Sequence, residues 1–342
     1  MKNKQYKNSV GNKILFAPQI GIGDLVFTLP LLHSLKESYK GYEVVVPIIS
    51  SEQKATSFSL QPLFEGLVKF LIKPIKESFD KERYEIYREK DFVGKFLLDL
   101  DKRKQFEKRV LEYYLQGETY SFAIIPKRFR IDSIDCNKQI NLDYLPYKKD
   151  LHVVERNLQF ADFLKIPKKV SFRLNLLSQR RPIKLSGEEI TLPENYTIIV
   201  LGAGRSTKKW NIEGNKSITK YCKTRGYAPV LIGSPKEYEE SKAIEGKGVI
   251  NLVSKHEFSI NLENFCEIAS KSKVVVGPDT GLIHLSDAVG AKVIGLYGPT
   301  RPSKFAPYNN KEFVVSTNHI DKSMDNISSK DVIRKLEMIL QN

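Results

Sequence analysis

The sequence predicts an α/β protein built from two Rossmann-like domains, and three observations carry that prediction. First, 342 residues are long for a single hydrophobic core. Second, each half opens in the same way. An apolar run (KILFA, 13–17; YTIIVL, 196–201) leads into a glycine-containing loop (PQIGIGD, 18–24; GAGRST, 202–207) and then toward a helical pattern. Third, SQRRPIKLSGEEITLPEN has two prolines, a glycine and few apolar residues, which marks a linker. The domains are therefore expected at 1–178 and 196–342, joined by residues 179–195, with the last helix packing back on the first domain.

In chain order, strand 13–17 is followed by a helix through Leu25, Leu29, Leu32 and Leu35, and then by strand 43–49. Asp24 falls at the mouth of that helix, where its residue type suits an N-cap or a general base. Residues 71–117 alternate charges, as expected of helices with solvated faces; Phe92, Phe96, Val110, Leu111 and Tyr114 supply the buried side. A strand at 120–125 runs into a basic loop, and 152–164 is an amphipathic helix. In the second half, strands are expected at 196–201, 228–232, 249–253, 274–276 and 292–297, with helices at 262–271, 282–289 and 330–340. Gly290 suits the position just past a helix end.

Candidate chemistry gathers in the loops after these strands. The small residues of the flexible polar loop 202–207, Gly202, Ser206 and Thr207 among them, and the lysine pair Lys208-Lys209 that enters the next helix region form a plausible anion cradle. Glu237, Glu239 and Glu240 open a helix, where acids partner the dipole. Asp279, Thr280, Gly281 and Leu282 begin the next helix, whose N–H groups suit a phosphate, and His284 follows one turn in, expected on the ligand side.

Composition narrows the classes. Apolar residues make up 41% and aromatics 10%, the balance of a folded globular chain. The net charge of +15 favours anionic partners, whether a nucleotide, a phosphorylated glycolipid or a membrane surface. Nucleic acid is not expected, because no recognised module accompanies the charge. Cys136, Cys222 and Cys266 are isolated, which argues against a disulfide framework or a zinc site and for a reducing cytoplasm. No signal peptide is evident, and no run of about 18 apolar residues occurs. The G-x-G-D of 21–24 is not the G-x-G-x-x-G fingerprint, so no nicotinamide cofactor is expected; no other cofactor is expected either.

Taken together, Gly21-Ile22-Gly23-Asp24-Leu25-Val26 with Leu29-Pro30-Leu31-Leu32, then Lys208-Lys209-Trp210, then Asp279-Thr280-Gly281-Leu282-Ile283-His284-Leu285 and Tyr297-Gly298-Pro299-Thr300 resemble the heptosyltransferases, glycosyltransferase family 9. His152-Val153-Val154-Glu155-Arg156-Asn157 is similar to the family's interdomain segment. The resemblance implies a GT-B fold, with the two domains facing an interdomain cleft, and inverting, metal-independent transfer from a nucleotide sugar. The donor it implies is ADP-heptose. The implied acceptor is an anionic lipid-linked saccharide of the lipopolysaccharide core, reached by peripheral contact with the cytoplasmic face of the inner membrane. By the same resemblance Asp24 matches the base and Lys208 the neutraliser of phosphate charge. Thr280, Gly281 and Leu282 match backbone donors to the diphosphate, with Gly23, Gly202, Ser206 and Thr207 beside them. Asp279 and His284 match residues near the donor sugar and phosphate, and Glu237 or Glu240 the acid that holds the nucleoside.

Overall fold

Lys13–Phe16 forms β1, and after a turn Ile22–Val26 makes a short helix, α1. One helix through Leu25, Leu29, Leu32 and Leu35 does not form. Pro30 has no N–H to give to Val26, and its ring would clash with that carbonyl. The helix therefore restarts as α2, Leu29–Ser38, with Pro30 in its first turn. Thr28 closes the break, its Oγ1 donating to Leu25 O at 2.6 Å. Gly21, not Asp24, is the N-cap of α1, and Asp24 lies inside the first turn.

The computed structural model describes residues 12–17, 21–50, 61–74, 96–116, 119–125, 131–132, 134–141, 145, 150–174, 183–185, 188–256, 260–317 and 322–341. After α2 come β2 (Glu43–Ser50), β3 (Lys69–Pro74), α3 (Phe96–Leu115), β4 (Thr119–Tyr120), β5 (Phe122–Ile125), β6 (Asp135–Cys136), β7 (Gln139–Asn141) and α4 (Val153–Leu164). Residues 120–125, expected as one strand, divide at Ser121: Tyr120 pairs with Cys136, and Phe122 with Ile14 of β1. Of the charged region 71–117, α3 buries Val110 and Leu111 as expected, while residues 75–95, Phe92 among them, lie outside the described ones. Within the expected linker, β8 (Ile183–Leu185) and β9 (Glu188–Ile190) pair as an antiparallel hairpin.

The second half then runs β10 (Tyr196–Val200), α5 (Ile212–Thr224), β11 (Ala228–Ile232), α6 (Tyr238–Ile244), β12 (Ile250–Asn251), α7 (Leu262–Lys271), β13 (Val275–Pro278), α8 (Gly281–Ala288), β14 (Val293–Tyr297), α9 (Pro302–Phe305), β15 (Val315–Ser316) and α10 (Ser329–Leu340). Gly290, at φ +91°, takes the left-handed turn that ends α8, and a side chain there would meet the Arg173 guanidinium. Among the described residues, the main contacts of the last helix, expected to pack back on the first domain, lie in the second half. Its buried Val332 and Leu336 belong to the second half's own core, because the apolar stripe of α10 faces α5 and β14.

Both main sheets are parallel. The first has the order β3-β2-β1-β5-β7 and the second β12-β11-β10-β13-β14-β15. Each therefore reverses direction once, between β1 and β5 and between β10 and β13, and the carboxyl ends of strands at such points open the crevice where α/β proteins bind ligands. Side-chain alternation along the strands divides the core. Ile14, Phe16, Ile198 and Val200 enter one apolar cluster that runs through both halves, while Leu15 and Ile199 face outer clusters.

Polar contacts fix the halves together at the edge of this cluster. Buried Asp287 on α8 accepts from Asn309 N (3.0 Å) and Asn310 Nδ2 (2.7 Å), and burial pushes its pKa up. The loop so held carries Tyr308 to a short hydrogen bond with Glu155 of α4. His152 caps α4, accepting from Val154 N through Nδ1 at 3.2 Å. Its Nε2 lies 3.0 Å from Ala306 O and donates to it. The bond from Val154 requires the neutral ring, because a protonated Nδ1 could not accept, whereas the bond to Ala306 can be donated by either form. Burial, ahead of the opposing bond to Ala306, lowers the pKa of His152 to about 4 from 6.5. The unfolded chain thus takes up this proton first as pH falls. The contribution is complete above the ordinary value and is lost between pH 6.5 and 4, to the extent of about 3 kcal/mol. Urea unfolding at pH 7.5 and 4.5 should show this drop in the native chain and a smaller one in His152→Gln.

Candidate active site

The loop after β10 closes into a 3-10 turn at Ser206–Lys208, with Lys208 N donating to Arg205 O and Lys209 N to Ser206 O. The end of the expected loop 202–207 thus carries local hydrogen bonds, while residues 202–205 before it have no regular structure. Trp210 anchors it: the indole is buried, and its Nε1 donates to Ile327 O at 3.1 Å. Ser206 and Thr207 stay exposed on the turn. Lys208 leans across the second sheet's switch crevice to Asp279, which follows β13, with Nζ 2.6 Å from Oδ2. The other oxygen, Oδ1, lies 3.1 Å from His284 Nε2. Burial opposes ionisation of Asp279, but His284 and Lys208 outweigh it and hold the pKa at about 2 instead of 3.8. The group is therefore a carboxylate at neutral pH, bridging a loop lysine and a helix histidine.

His284 is not on an open ligand-facing surface. It is 2% exposed, its ring lies 4.3 Å from that of Phe27, and it fills the space that a side chain on Gly23 would take. The imidazole supports Asp279 from behind, because glycine at position 23 leaves room for it. Thr280 caps α8 in an extended conformation, and Gly281 and Leu282 form its half-buried first turn. Their N–H groups have no acceptor within the helix and carry the positive end of its dipole.

α1 packs on α8. A Cβ on Gly281 would fall 2.8 Å from Ile22 Cβ and 3.3 Å from Gly23 N, and one on Gly23 would fall 2.9 Å from the His284 ring. Two helix N-termini from different halves are thus in backbone contact, with half-buried Asp24 beside Gly23 on one and Thr280 to Leu282 on the other. Since α1 follows β1 and α8 follows β13, each half contributes its switch-point edge.

Gly202 lies against Glu237, and a side chain there would collide with that carboxylate. Glu237, 4% exposed, completes a capping box with Ser234. Lys209 joins it to Glu240, its Nζ 3.2 Å from Glu237 Oε1 and 3.0 Å from Glu240 Oε2. Lys209, expected with Lys208 in the anion cradle, turns instead to these two acids. Acids three residues apart share one helix face and offered the signal that a cation would meet them.

A family model, Glycosyltransferase family 9 (heptosyltransferase), matches residues 137–333, more than half of the chain. The chain belongs to this family. The match takes in α4, the Lys208 turn, Asp279 and α8. Among curated relatives, the lipopolysaccharide core heptosyltransferase OpsX of Haemophilus influenzae is 26% identical over 48% of this chain and 48% of its own length. Lipopolysaccharide heptosyltransferase 1 of Escherichia coli is 27% identical over 42% of this chain and 44% of its own. The chain thus spans about half the length of the curated relatives it matches. Solved structures extend the likeness of fold to nearly all of it. E. coli heptosyltransferase WaaC with ADP superposes with a TM-score of 0.67 at 19% identity, covering 95% of this chain and 99% of that one. A glycosyltransferase family 9 protein of Veillonella parvula gives 0.66 at 15%, covering 98% and 99%. The GT-B fold, with two Rossmann-like domains facing a cleft, follows.

The glycine contact is open to a direct test. Glycine to alanine in a helix ordinarily stabilises by about 1 kcal/mol. At Gly281 the added methyl is overpacked against Ile22, and Gly281→Ala should instead destabilise by about 1–3 kcal/mol in urea unfolding.

Proposed function

We propose that this chain is an inverting glycosyltransferase that moves a heptose from ADP-heptose to a lipopolysaccharide core saccharide. The observation that carries the reading is Lys208 spanning the switch crevice to Asp279 at 2.6 Å, beside the α8 N-terminus and opposite the helix that bears Asp24. A diphosphate suits that position: it takes charge from Lys208 and hydrogen bonds from Thr280, Gly281 and Leu282. Relatives named as lipopolysaccharide heptosyltransferases support the sugar and acceptor, and a solved structure named as E. coli WaaC with ADP-2-deoxy-2-fluoro heptose supports the nucleotide.

The chemistry follows from the two-sided arrangement. Asp24 takes the proton of the acceptor hydroxyl as that oxygen attacks the anomeric carbon from the face opposite the diphosphate. The new glycosidic bond forms as the anomeric carbon–phosphate oxygen bond breaks, and configuration inverts. ADP leaves with the electron pair, its growing charge met by Lys208 and the α8 dipole. Those two sources supply the positive potential that a divalent ion provides elsewhere, so the reaction is metal-independent in this reading. The acceptor is an anionic, lipid-linked saccharide, and the net charge of +15 favours peripheral contact with the cytoplasmic face of the inner membrane. Among the described residues no helix is long and apolar enough to cross a membrane.

Asp24→Asn should lower turnover by at least about a hundredfold while ADP affinity measured by calorimetry stays within about twofold; retained turnover would sink the base assignment. In a thermal-shift screen of ADP, UDP, GDP and CMP sugars, the ADP sugar should raise the melting temperature most. Transfer should persist in EDTA, and selective stabilisation by a UDP or GDP sugar would overturn the donor.

A further inference from the structure

Lys209 takes no part in the chemistry above, yet it is tied to two acids. Its ammonium sits between Glu237, whose side chain is 5% exposed, and Glu240, at 17%. The remaining oxygen of Glu237 accepts from Ser234 N and Oγ at 2.9 and 2.6 Å, and that of Glu240 from Asn215 Nδ2 on α5 at 3.2 Å. Two carboxylates this enclosed repel unless a cation lies between them. Consecutive lysines thus leave one turn in opposite directions, Lys208 toward the loop after β13 and Lys209 toward the loop after β11. Trp210 fixes the turn from below.

This division matches the two ends of a nucleotide. In α/β nucleotide-binding units the phosphates lie at the switch crevice, and an acid beyond the second strand meets the ribose hydroxyls. Here β11 is the second strand of the unit, and Glu237 and Glu240 follow it. We propose that Lys209 is a positioning residue for the donor nucleoside: by clamping Glu237 and Glu240 it sets where the ribose hydroxyls of a nucleoside diphosphate dock relative to Lys208. The inference rests on reading the site as a nucleotide-sugar donor site.

The test is calorimetric titration of the native chain, Lys209→Met and Lys209→Arg with ADP and, separately, with inorganic pyrophosphate. Lys209→Met should weaken ADP at least about tenfold, or about 1.4 kcal/mol, and change pyrophosphate by less than about twofold, since Lys208 is untouched. Lys209→Arg should restore ADP to within about threefold, and in turnover Lys209→Met should raise donor KM while kcat holds within about threefold. Should Lys209→Met melt below the assay temperature, Glu240→Gln carries the same expectation of selective ADP loss. Unchanged ADP affinity, or equal loss of ADP and pyrophosphate, overturns the role of Lys209 alone. A native chain that binds pyrophosphate but no nucleotide overturns the donor-site reading, and the inference with it.

Discussion

Two helix N-termini can come this close only where glycine leaves room at the contact, and the rest of the site depends on that condition. Gly281 on α8 leaves room for Ile22 and the backbone of Gly23 on α1, and Gly23 leaves room for the His284 ring. Their approach brings the carboxyl edge of the first sheet against that of the second. It also leaves a space behind Gly23 that His284 fills, and His284 in turn holds one oxygen of Asp279 while Lys208 holds the other. The glycines act through backbone proximity, and the charged residues inherit their geometry from it.

Phe27 shows how packing reinforces this contact. It sits at the break between α1 and α2 that Pro30 imposes, and its ring is within 6.5 Å, centroid to centroid, of His152, Phe172, His284 and Phe305. Those rings come from both halves. Asn157 on α4 also donates to the carbonyl of Phe27 at 3.1 Å. A proline that interrupts one helix therefore places an aromatic ring where the two domains meet, and the polar straps of His152, Tyr308 and Asp287 lie around it.

Much of this was legible in the sequence, and what was not has physical reasons. The strands at β1, β2, β10, β11, β13 and β14 were readable because buried parallel strands are continuous apolar runs. The residues of the second-half loops stood out by type and order. The break in the first helix was missed because apolar spacing through Leu25, Leu29, Leu32 and Leu35 fits one helix, and only the stereochemistry of Pro30 argues otherwise. The hairpin of β8 and β9 is too short and polar to register as periodicity. The burial of His284 could not be read from its helix position, since it depends on a glycine some 260 residues earlier in the chain. Lys209 was hidden for a similar reason: adjacent lysines read alike until tertiary structure sends them to different partners.

The alternation that sends Ile14, Phe16, Ile198 and Val200 into one cluster bears on how the chain behaves as a material. Rossmann-like domains are commonly pictured as modules that fold alone and hinge freely about a linker. Here either half in isolation would leave Phe27 without His284 and Phe305, and Phe172 without Tyr308, exposing apolar surface of the kind that drives association. The shared cluster couples the packing of one half to that of the other. The boundary seen in the sequence is therefore a boundary of topology that the apolar core itself crosses.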